Sequence, residues 1–183
     1  MDPASGCPNI VDPDVKRSKR TEWEHVVPAH RMGGHLTCWT DGLPECTKKG
    51  KPYKGRKCCE AFHPEFRAAH NDPHNLFPAN GRVNGDRSNH PFGEVSGEPR
   101  KYGSCDFEVG GSPKRAEYSA AVKGEVARTI LYMVEKHGIQ VPYDLDELRK
   151  QSAEDPPEAW EIDRARAIQR ETGLNNLAIT QKK

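Results

Sequence analysis

Six cysteines limit what this chain can fold into, because they can be joined in pairs. They are Cys7, Cys38, Cys46, Cys58, Cys59 and Cys105. None of them forms a CxxC pair, the spacing typical of a zinc knuckle. An even number of cysteines in a chain with little core predicts three disulfides rather than a metal cluster, although many pairings stay open. Disulfides persist in oxidising spaces, so we expect the working protein in the periplasm or outside the cell.

The composition predicts one loop-rich domain that spans residues 1–183. Only 34% of the residues are hydrophobic, and the chain carries 16 glycines and 15 prolines. An ordinary globular chain is about 45–50% apolar, so the core is expected to be small for the length. No apolar run is long enough to cross a bilayer, and we expect a monomer without a membrane partner. The opening MDPASGC is typical of an initiator methionine joined to a trimmed mature domain, so we expect the signal segment to be absent from this chain.

Charge is distributed unevenly along the chain. The net charge is only +1, so no overall basic field indicates a nucleic-acid partner. Residues 16–20 and 48–57 are nonetheless basic, while residues 154–163 are acidic. Basic runs are typical of solvated loops, but these two flank the stretch discussed below, so contact with nucleic acid stays open.

The first half of the chain predicts two short strands and a short helix, separated by a long turn-rich segment. Residues 22–28 are typical of a strand, because two β-branched valines precede a closing proline. Residues 31–72 are predicted to be turns and loops. A second extended piece is expected at residues 75–78, followed by a helical turn at residues 81–88.

The second half predicts helices that form scaffold. Apolar residues recur at three- and four-residue steps over residues 113–137, with Pro113 suited to the first helical position and Gly138 to the residue after the last. Two further helices are predicted at residues 144–152 and 157–172. A strand is also possible at residues 105–109.

The stretch TEWEHVVPAH, residues 21–30, places a carboxylate next to an imidazole. In a strand the side chains of Glu24 and His25 point to opposite faces, so each serves its own side. Taken alone, the dipeptide is equally typical of a surface glutamate followed by a half-buried histidine at a sheet edge. An imidazole can accept a proton from water near neutral pH, and a carboxylate with an amide oxygen is a ligand set for Mg²⁺. The order strand, loop, strand, helix therefore suits phosphodiester cleavage.

Several motifs in order resemble the bacterial endonuclease I family. They are EWEHVVPA (22–29), CWTDG (38–42), GRKCC (55–59), HNLFPA (74–79) and VNGDRSN (83–89), with YGSC (102–105) and ARTILYM (127–133) as later landmarks. The resemblance covers roughly residues 7–135. It implies an α+β fold with a ββα-metal (His-Me finger) core at about residues 22–90, a loop-rich, disulfide-stapled surround and C-terminal helices. It also implies a periplasmic or secreted nuclease without sequence preference.

The resemblance implies a role for four site residues. The metal-binding glutamate falls on Glu24, the general-base histidine on His25 and the second protein ligand on Asn84. Without the resemblance, Asn84 would be interpreted as a turn residue in an Asn-Gly pair. The arginine that contacts the phosphate falls on Arg56, because about a dozen additional residues interrupt the corresponding stretch after Gly42.

The resemblance also implies a disulfide pairing. Cys38 and Cys59 correspond to a family pair, and Cys46 and Cys58 would close the additional residues as a second bridge. Cys7 and Cys105 are then left to form the third disulfide. The bridged insertion carries a basic run that we expect to contact nucleic-acid phosphates without reading bases. Its lysines are Lys48, Lys49, Lys51, Lys54 and Lys57.

These features together predict a metal-dependent endonuclease. The expected reaction is hydrolysis of phosphodiester bonds in DNA, and in RNA as well, without sequence preference and with 5′-phosphate products. Mg²⁺ is the expected cofactor, with Ca²⁺ or Mn²⁺ possible in its place. The alternative from another class is a secreted nucleic-acid-binding protein that keeps the scaffold but lacks catalysis.

Overall fold

The protein has the mixed helix and strand content of an α+β fold, as predicted. The structure is a computed structural model that describes residue 12 and residues 14–97, 101–103 and 105–180. Its strands form three separate two-stranded sheets in this part of the chain, and short helices connect them. Long helices occur only in the C-terminal half of the described residues.

The first sheet and the helix that follows it form the centre of the N-terminal half. Strand β1 (Thr21–His25) pairs antiparallel with β4 (Leu76–Asn80), which places Glu24 opposite Phe77. Helix α5 (Gly81–Arg87) begins directly after β4, where the Asn80 side chain accepts a hydrogen bond from the Arg82 backbone N–H. This cap satisfies a free donor of the first helical turn and ends the strand. The two strands and the short helix therefore occur close to the predicted ranges, although β1 ends at His25, before the two valines on which the prediction of a strand over residues 22–28 rested.

The segment between these strands contains more helix than predicted. It folds as α1 (Ala29–Gly33), α2 (Thr37–Thr40), α3 (Arg56–Phe62) and α4 (Pro64–His70), with a small hairpin of β2 (Thr47–Lys48) and β3 (Lys51–Pro52). The prediction of a turn-rich segment over residues 31–72 did not include these helices. Helices this short have little stability of their own, so bridges and core contacts must hold them.

Two disulfides hold this segment together. Cys38–Cys59 joins α2 to α3, and Cys46–Cys58 joins the start of the hairpin to α3. All four cysteines are at most 2% exposed, so each bridge is also part of the core. Both pairings were predicted. Cys7, the predicted partner of Cys105, lies outside the described residues, and that pair stays a prediction.

The predicted helix over residues 113–137 is wrong in its first ten residues. Strand β5 (Phe107–Gly110) and β6 (Arg115–Tyr118) form a hairpin, so Pro113 lies in the turn between them. Pairing with β5 buries Ala116 completely, which overrides the helical spacing of the side chains. Helix α6 begins only at Lys123 and runs as Lys123–His137.

The helices predicted at residues 144–152 and 157–172 occur close to those ranges, but a further short helix after Gly173 was not predicted. Helix α6 ends at Gly138 with a φ of 64°, and α8 (Ala159–Thr172) ends at Gly173 with a φ of 75°. Glycine adopts this left-handed conformation at little cost, which explains both ends. Helix α7 (Leu145–Glu154) lies between them, and α9 (Leu177–Thr180) follows α8.

The core joins the two halves of the chain. Val26 and Val27, just after β1, are buried in one cluster with Phe77 of β4 and with Ile130 and Met133 of α6. The end of the first strand is thereby anchored on the longest helix. In the described part of the chain, no helix has both the length and the apolar character that crossing a membrane requires.

Candidate active site

The two faces of β1 meet different parts of the protein. On one face, Glu24 contacts Arg87 of α5, and Glu22, two residues earlier, contacts Asn84 of the same helix. His25 instead contacts the end of α4, where it meets His70. Because side chains alternate along a strand, neighbouring Glu24 and His25 serve different surroundings at the same strand end.

His25 is a neutral imidazole, and one of its two ring nitrogens is already hydrogen-bonded. Its Nε2 lies 2.8 Å from the backbone carbonyl oxygen of His70, and the side chain is 9% exposed. A carbonyl oxygen only accepts, so Nε2 carries the proton and Nδ1 is the acceptor. Burial lowers the pKa of His25 to about 4, and the positive charges of Arg56 and Arg87 act in the same direction. At neutral pH this imidazole can therefore accept a proton.

Glu24 lies against a buried arginine that the sequence analysis did not identify. Arg87 Nη1 donates to Glu24 Oε1 at 2.5 Å and to the carbonyl oxygen of His25 at 2.6 Å, while Nη2 donates to that of Val26 at 2.6 Å. Arg87 is only 2% exposed. It therefore holds both the carboxylate and the backbone at the end of β1. Burial raises the pKa of Glu24 to about 7, against the opposing charges of Arg87 and Arg56.

Asn84 is held by a second glutamate of β1. Its Nδ2 donates to Glu22 Oε2 at 3.0 Å. The carboxylate of Glu22 also pairs with Arg17 at 2.6 Å and with Arg20 at 2.8 Å. The hydrogen bond from Arg17 holds the pKa of Glu22 below its usual range. Glu24 and Asn84 thus lie at the same interface between β1 and α5, but each has its own partner.

Arg56 is the first residue of α3 and is exposed. The helix begins there because Gly55 adopts a φ of 86°, which side chains rarely tolerate. Burial raises the pKa of Glu24 and lowers that of His25, and the positive charge of Arg56 opposes the first shift and adds to the second. The disulfide-bonded segment therefore brings this arginine to the side of the predicted catalytic pair.

The predicted nucleic-acid-binding lysines lie on the surface of the same segment. Lys48 and Lys51 pair across the β2–β3 hairpin, whose turn is Lys49-Gly50 with φ values of 52° and 73°. Such a two-residue turn with positive φ matches the natural twist of a hairpin. Lys54 Nζ donates to the carbonyl oxygen of Thr40 at 2.6 Å, so that lysine also stabilises the loop. All five are exposed: Lys48, Lys49, Lys51, Lys54 and Lys57.

Comparison with known proteins decides the family. The model of the family described as Endonuclease I matches residues 9–182. The chain belongs to the endonuclease I family. An extracellular deoxyribonuclease of Aeromonas hydrophila is 36% identical over 178 residues, covering 96% of this chain and 72% of the relative. A periplasmic deoxyribonuclease of the same organism is 36% identical over 178 residues, covering 96% and 70%.

A relative from another organism matches a shorter stretch. The endonuclease-1 of Buchnera aphidicola from Acyrthosiphon pisum is 37% identical over 140 residues, which cover 73% of this chain and 51% of the relative. The location predicted from the cysteines is confirmed for this endonuclease I family member: it is a periplasmic or secreted protein.

The donor atoms at the β1–α5 interface suit a hard divalent cation. The bonds to Arg87 and Glu22 use Glu24 Oε1 and Asn84 Nδ2. Among the described residues, no side chain donates a hydrogen bond to Glu24 Oε2 or to Asn84 Oδ1. Carboxylate and amide oxygens are what Mg²⁺ prefers, and it usually keeps several waters beside one or two carboxylates. No group of three histidine, cysteine or acidic side chains in the described ranges could hold a metal. Glu24 and Asn84 therefore offer oxygen donors of the kind that Mg²⁺ takes, without the histidine or cysteine ligands typical of structural zinc sites.

Two residues of the site, Glu22 and Arg87, were missed from the sequence. Glu22 could have been found, because residues two apart on a strand share a face and Glu24 was already assigned. Arg87 lies three residues after Asn84, one helical turn away on the same face of α5. Its backbone partners, the carbonyl groups of His25 and Val26, carry no sequence signal.

Proposed function

We propose that the protein is a metal-dependent endonuclease that hydrolyses DNA, and RNA as well, without sequence preference. The observation that carries the proposal is the neutral His25, held through Nε2 by the His70 carbonyl, next to Glu24. The names of the relatives, deoxyribonuclease and endonuclease-1, favour DNA as the substrate. On this proposal, β1, β4 and α5 form the ββα-metal (His-Me finger) core.

His25 acts as the general base. Its Nδ1 accepts a proton from the attacking water as the new bond to phosphorus forms, while the His70 carbonyl keeps the proton on Nε2 in place. The bond between phosphorus and the 3′-oxygen breaks and that oxygen takes up a proton from solvent water, so the products carry a 5′-phosphate and a 3′-hydroxyl. A pKa of about 4 keeps the imidazole unprotonated before the step.

Glu24 and Asn84 would hold the divalent cation through one oxygen each. When bound, Mg²⁺ (or Ca²⁺ or Mn²⁺ in its place) supplies positive charge that stabilises the developing charge on the phosphate and the leaving oxygen. Arg87 keeps Glu24 Oε1 fixed and leaves Oε2 for the metal. Arg56, at the start of α3, would hold the non-bridging phosphate oxygens.

The test of this function is plasmid digestion with the purified protein. Supercoiled DNA should become nicked and then linear in Mg²⁺, cleavage should stop on addition of EDTA, and excess Mg²⁺ should restore it. The fragments should accept a labelled phosphate at the 5′-end only after phosphatase treatment. A protein that shifts DNA on a gel but never nicks it would instead be the secreted binding protein that lacks catalysis.

The hairpin lysines should determine part of the salt dependence of DNA binding. We expect that changing Lys48, Lys49 and Lys51 together to serine weakens DNA binding. The slope of log Kd plotted against log salt concentration should fall by up to about three units, one for each lost phosphate contact. Fluorescence anisotropy with a labelled duplex in EDTA measures binding apart from cleavage.

A charge-matched control separates contact from overall charge. Lys114, Lys136 and Lys150 are also exposed and lie on other elements. The same three changes there remove the same charge and should leave the slope near the wild-type value. Equal slopes for the hairpin variant and the wild type would mean that DNA reaches the site from another side.

A further inference from the structure

Glu22 occupies a central position between the N-terminal segment and α5. Its carboxylate accepts from Arg17 Nη2 at 2.6 Å and from Arg20 at 2.8 Å, and Oε2 also accepts from Asn84 Nδ2 at 3.0 Å. The Glu22 side chain is 20% exposed, so these contacts are partly shielded from solvent.

The contact with Asn84 restricts which way the amide faces. An ionised carboxylate can only accept hydrogen bonds, so the amide nitrogen of Asn84 must face Glu22 and the amide oxygen must face away. No described residue donates to that oxygen. Without Glu22, rotation of the amide would exchange nitrogen and oxygen, and a nitrogen with two hydrogens cannot bind a cation.

The surrounding backbone is arranged to bring Arg17 to Glu22. The 3-10 helix Lys16–Lys19 lies against α5 at two glycines, Gly81 and Gly85. A Cβ at Gly81 would lie 2.5 Å from the carbonyl oxygen of Arg17, and one at Gly85 would collide with the Arg17 guanidinium. Gly85, which lies inside α5 rather than in a turn, therefore leaves the space that the Arg17 guanidinium occupies.

We propose that Glu22 is a positioning residue that orients the Asn84 amide, leaving its oxygen available as a metal ligand. Arg17 in turn holds the carboxylate of Glu22. The inference rests on the proposed function, because it assigns Glu22 a role toward the same divalent cation. Partners of metal ligands typically change metal affinity by about 10–100-fold when they are removed.

The experiment measures Mg²⁺ binding by titration calorimetry of the full chain without DNA. Glu22→Ala should weaken binding by about 10–100-fold. Glu22→Gln should stay within a few-fold of wild type, because its amide oxygen can still accept from Asn84 Nδ2. Arg20→Ala is the matched control: it removes a partner of the same carboxylate without touching Asn84 and should also stay within a few-fold.

A double-mutant cycle excludes a general structural effect. In the Asn84→Ala background, Glu22→Ala should cause no further loss of Mg²⁺ affinity, because the side chain that it orients is gone. Additive losses would contradict the inference. Thermal melts check folding, and Glu22→Leu replaces Glu22→Ala if the alanine variant does not fold.

The outcomes separate this inference from the proposed function. If wild type binds Mg²⁺ and cleaves plasmid but Glu22→Ala binds Mg²⁺ equally well, only the role of Glu22 is refuted. A loss of affinity in Glu22→Gln as large as that in Glu22→Ala also refutes it, since charge rather than amide orientation would then matter. A wild type that neither binds Mg²⁺ nor cleaves DNA overturns both proposals.

Discussion

Replacing His25 with alanine is expected to slow DNA cleavage by ~10²–10⁴-fold, the usual contribution of a general base. The imidazole is kept neutral by burial, and its Nε2 proton is held by the His70 carbonyl, so on the proposed function Nδ1 is the atom that accepts the proton. Alanine removes that atom but leaves Glu24 and Asn84 in place. The loss should therefore appear in kcat, with Mg²⁺ affinity near the wild-type value.

Single-turnover cleavage of a labelled duplex at saturating Mg²⁺ measures this loss. His35 is an exposed histidine on another part of the chain, and His35→Ala should cleave at the wild-type rate. Because His25 is buried, the stability of the variant should be checked by thermal melting before the rates are compared. Cleavage by His25→Ala within a few-fold of wild type would show that another group accepts the proton.

The apparent Mg²⁺ affinity is expected to fall about 50-fold between pH 7 and pH 5, and the fall approaches about tenfold per pH unit well below pH 7. Burial raises the pKa of Glu24 to about 7, so below that pH a proton competes with the metal for the carboxylate. His25 does not contribute to the fall in affinity between pH 7 and pH 5, because its pKa is about 4. Calorimetric titrations between pH 5 and pH 8 measure the effect.

Two variants identify the group that titrates. Asn84→Ala should bind Mg²⁺ more weakly but keep the same pH dependence, because an amide does not titrate. Glu24→Ala should lose the pH dependence along with most of the affinity. An affinity for Mg²⁺ that is the same at pH 5 and pH 8 in the wild type would mean that Glu24 is ionised throughout or is not a ligand.

The raised pKa of Glu24 also affects stability without metal. A carboxyl group with a folded-state pKa near 7 and an ordinary value of 4.5 favours the folded state most when it is protonated. That contribution is fully present below pH 4.5 and is lost as the pH rises through 7. Because Glu24 is ionised at pH 8 and protonated at pH 5, metal binding should stabilise the protein more at pH 8 than at pH 5.

Much of the fold follows from local patterns. The strand at 21–25 and the helix ends at Gly138 and Gly173 have short-range causes, namely side-chain alternation and the left-handed glycine. The helix predicted from residue 113 failed because the same spacing of apolar residues also fits a hairpin followed by a helix. Pairing of β6 with β5 decided between them.

The short helices of the bridged segment illustrate a different limit. Residues 56–62 and 64–70 have too few residues to be stable alone, so their sequence carries only a weak helical signal. Their helical form depends on Cys38–Cys59 and Cys46–Cys58 and on burial of Phe66. The pairing of these cysteines came from family resemblance, and the geometry of the helices came only from the folded chain.

The sequence by itself indicated the compartment and the order of strand, strand and helix, and its resemblance to a known family gave the candidate residues Glu24, His25 and Asn84. The tertiary structure alone decided how those residues are held. The His70 carbonyl on His25, Arg87 on Glu24 and Glu22 on Asn84 join positions 45, 63 and 62 residues apart. One of these partners is a backbone oxygen, which every residue has, so no side-chain pattern could identify it. Long-range packing places such atoms, and they determine which oxygen or nitrogen of each candidate residue is left for chemistry.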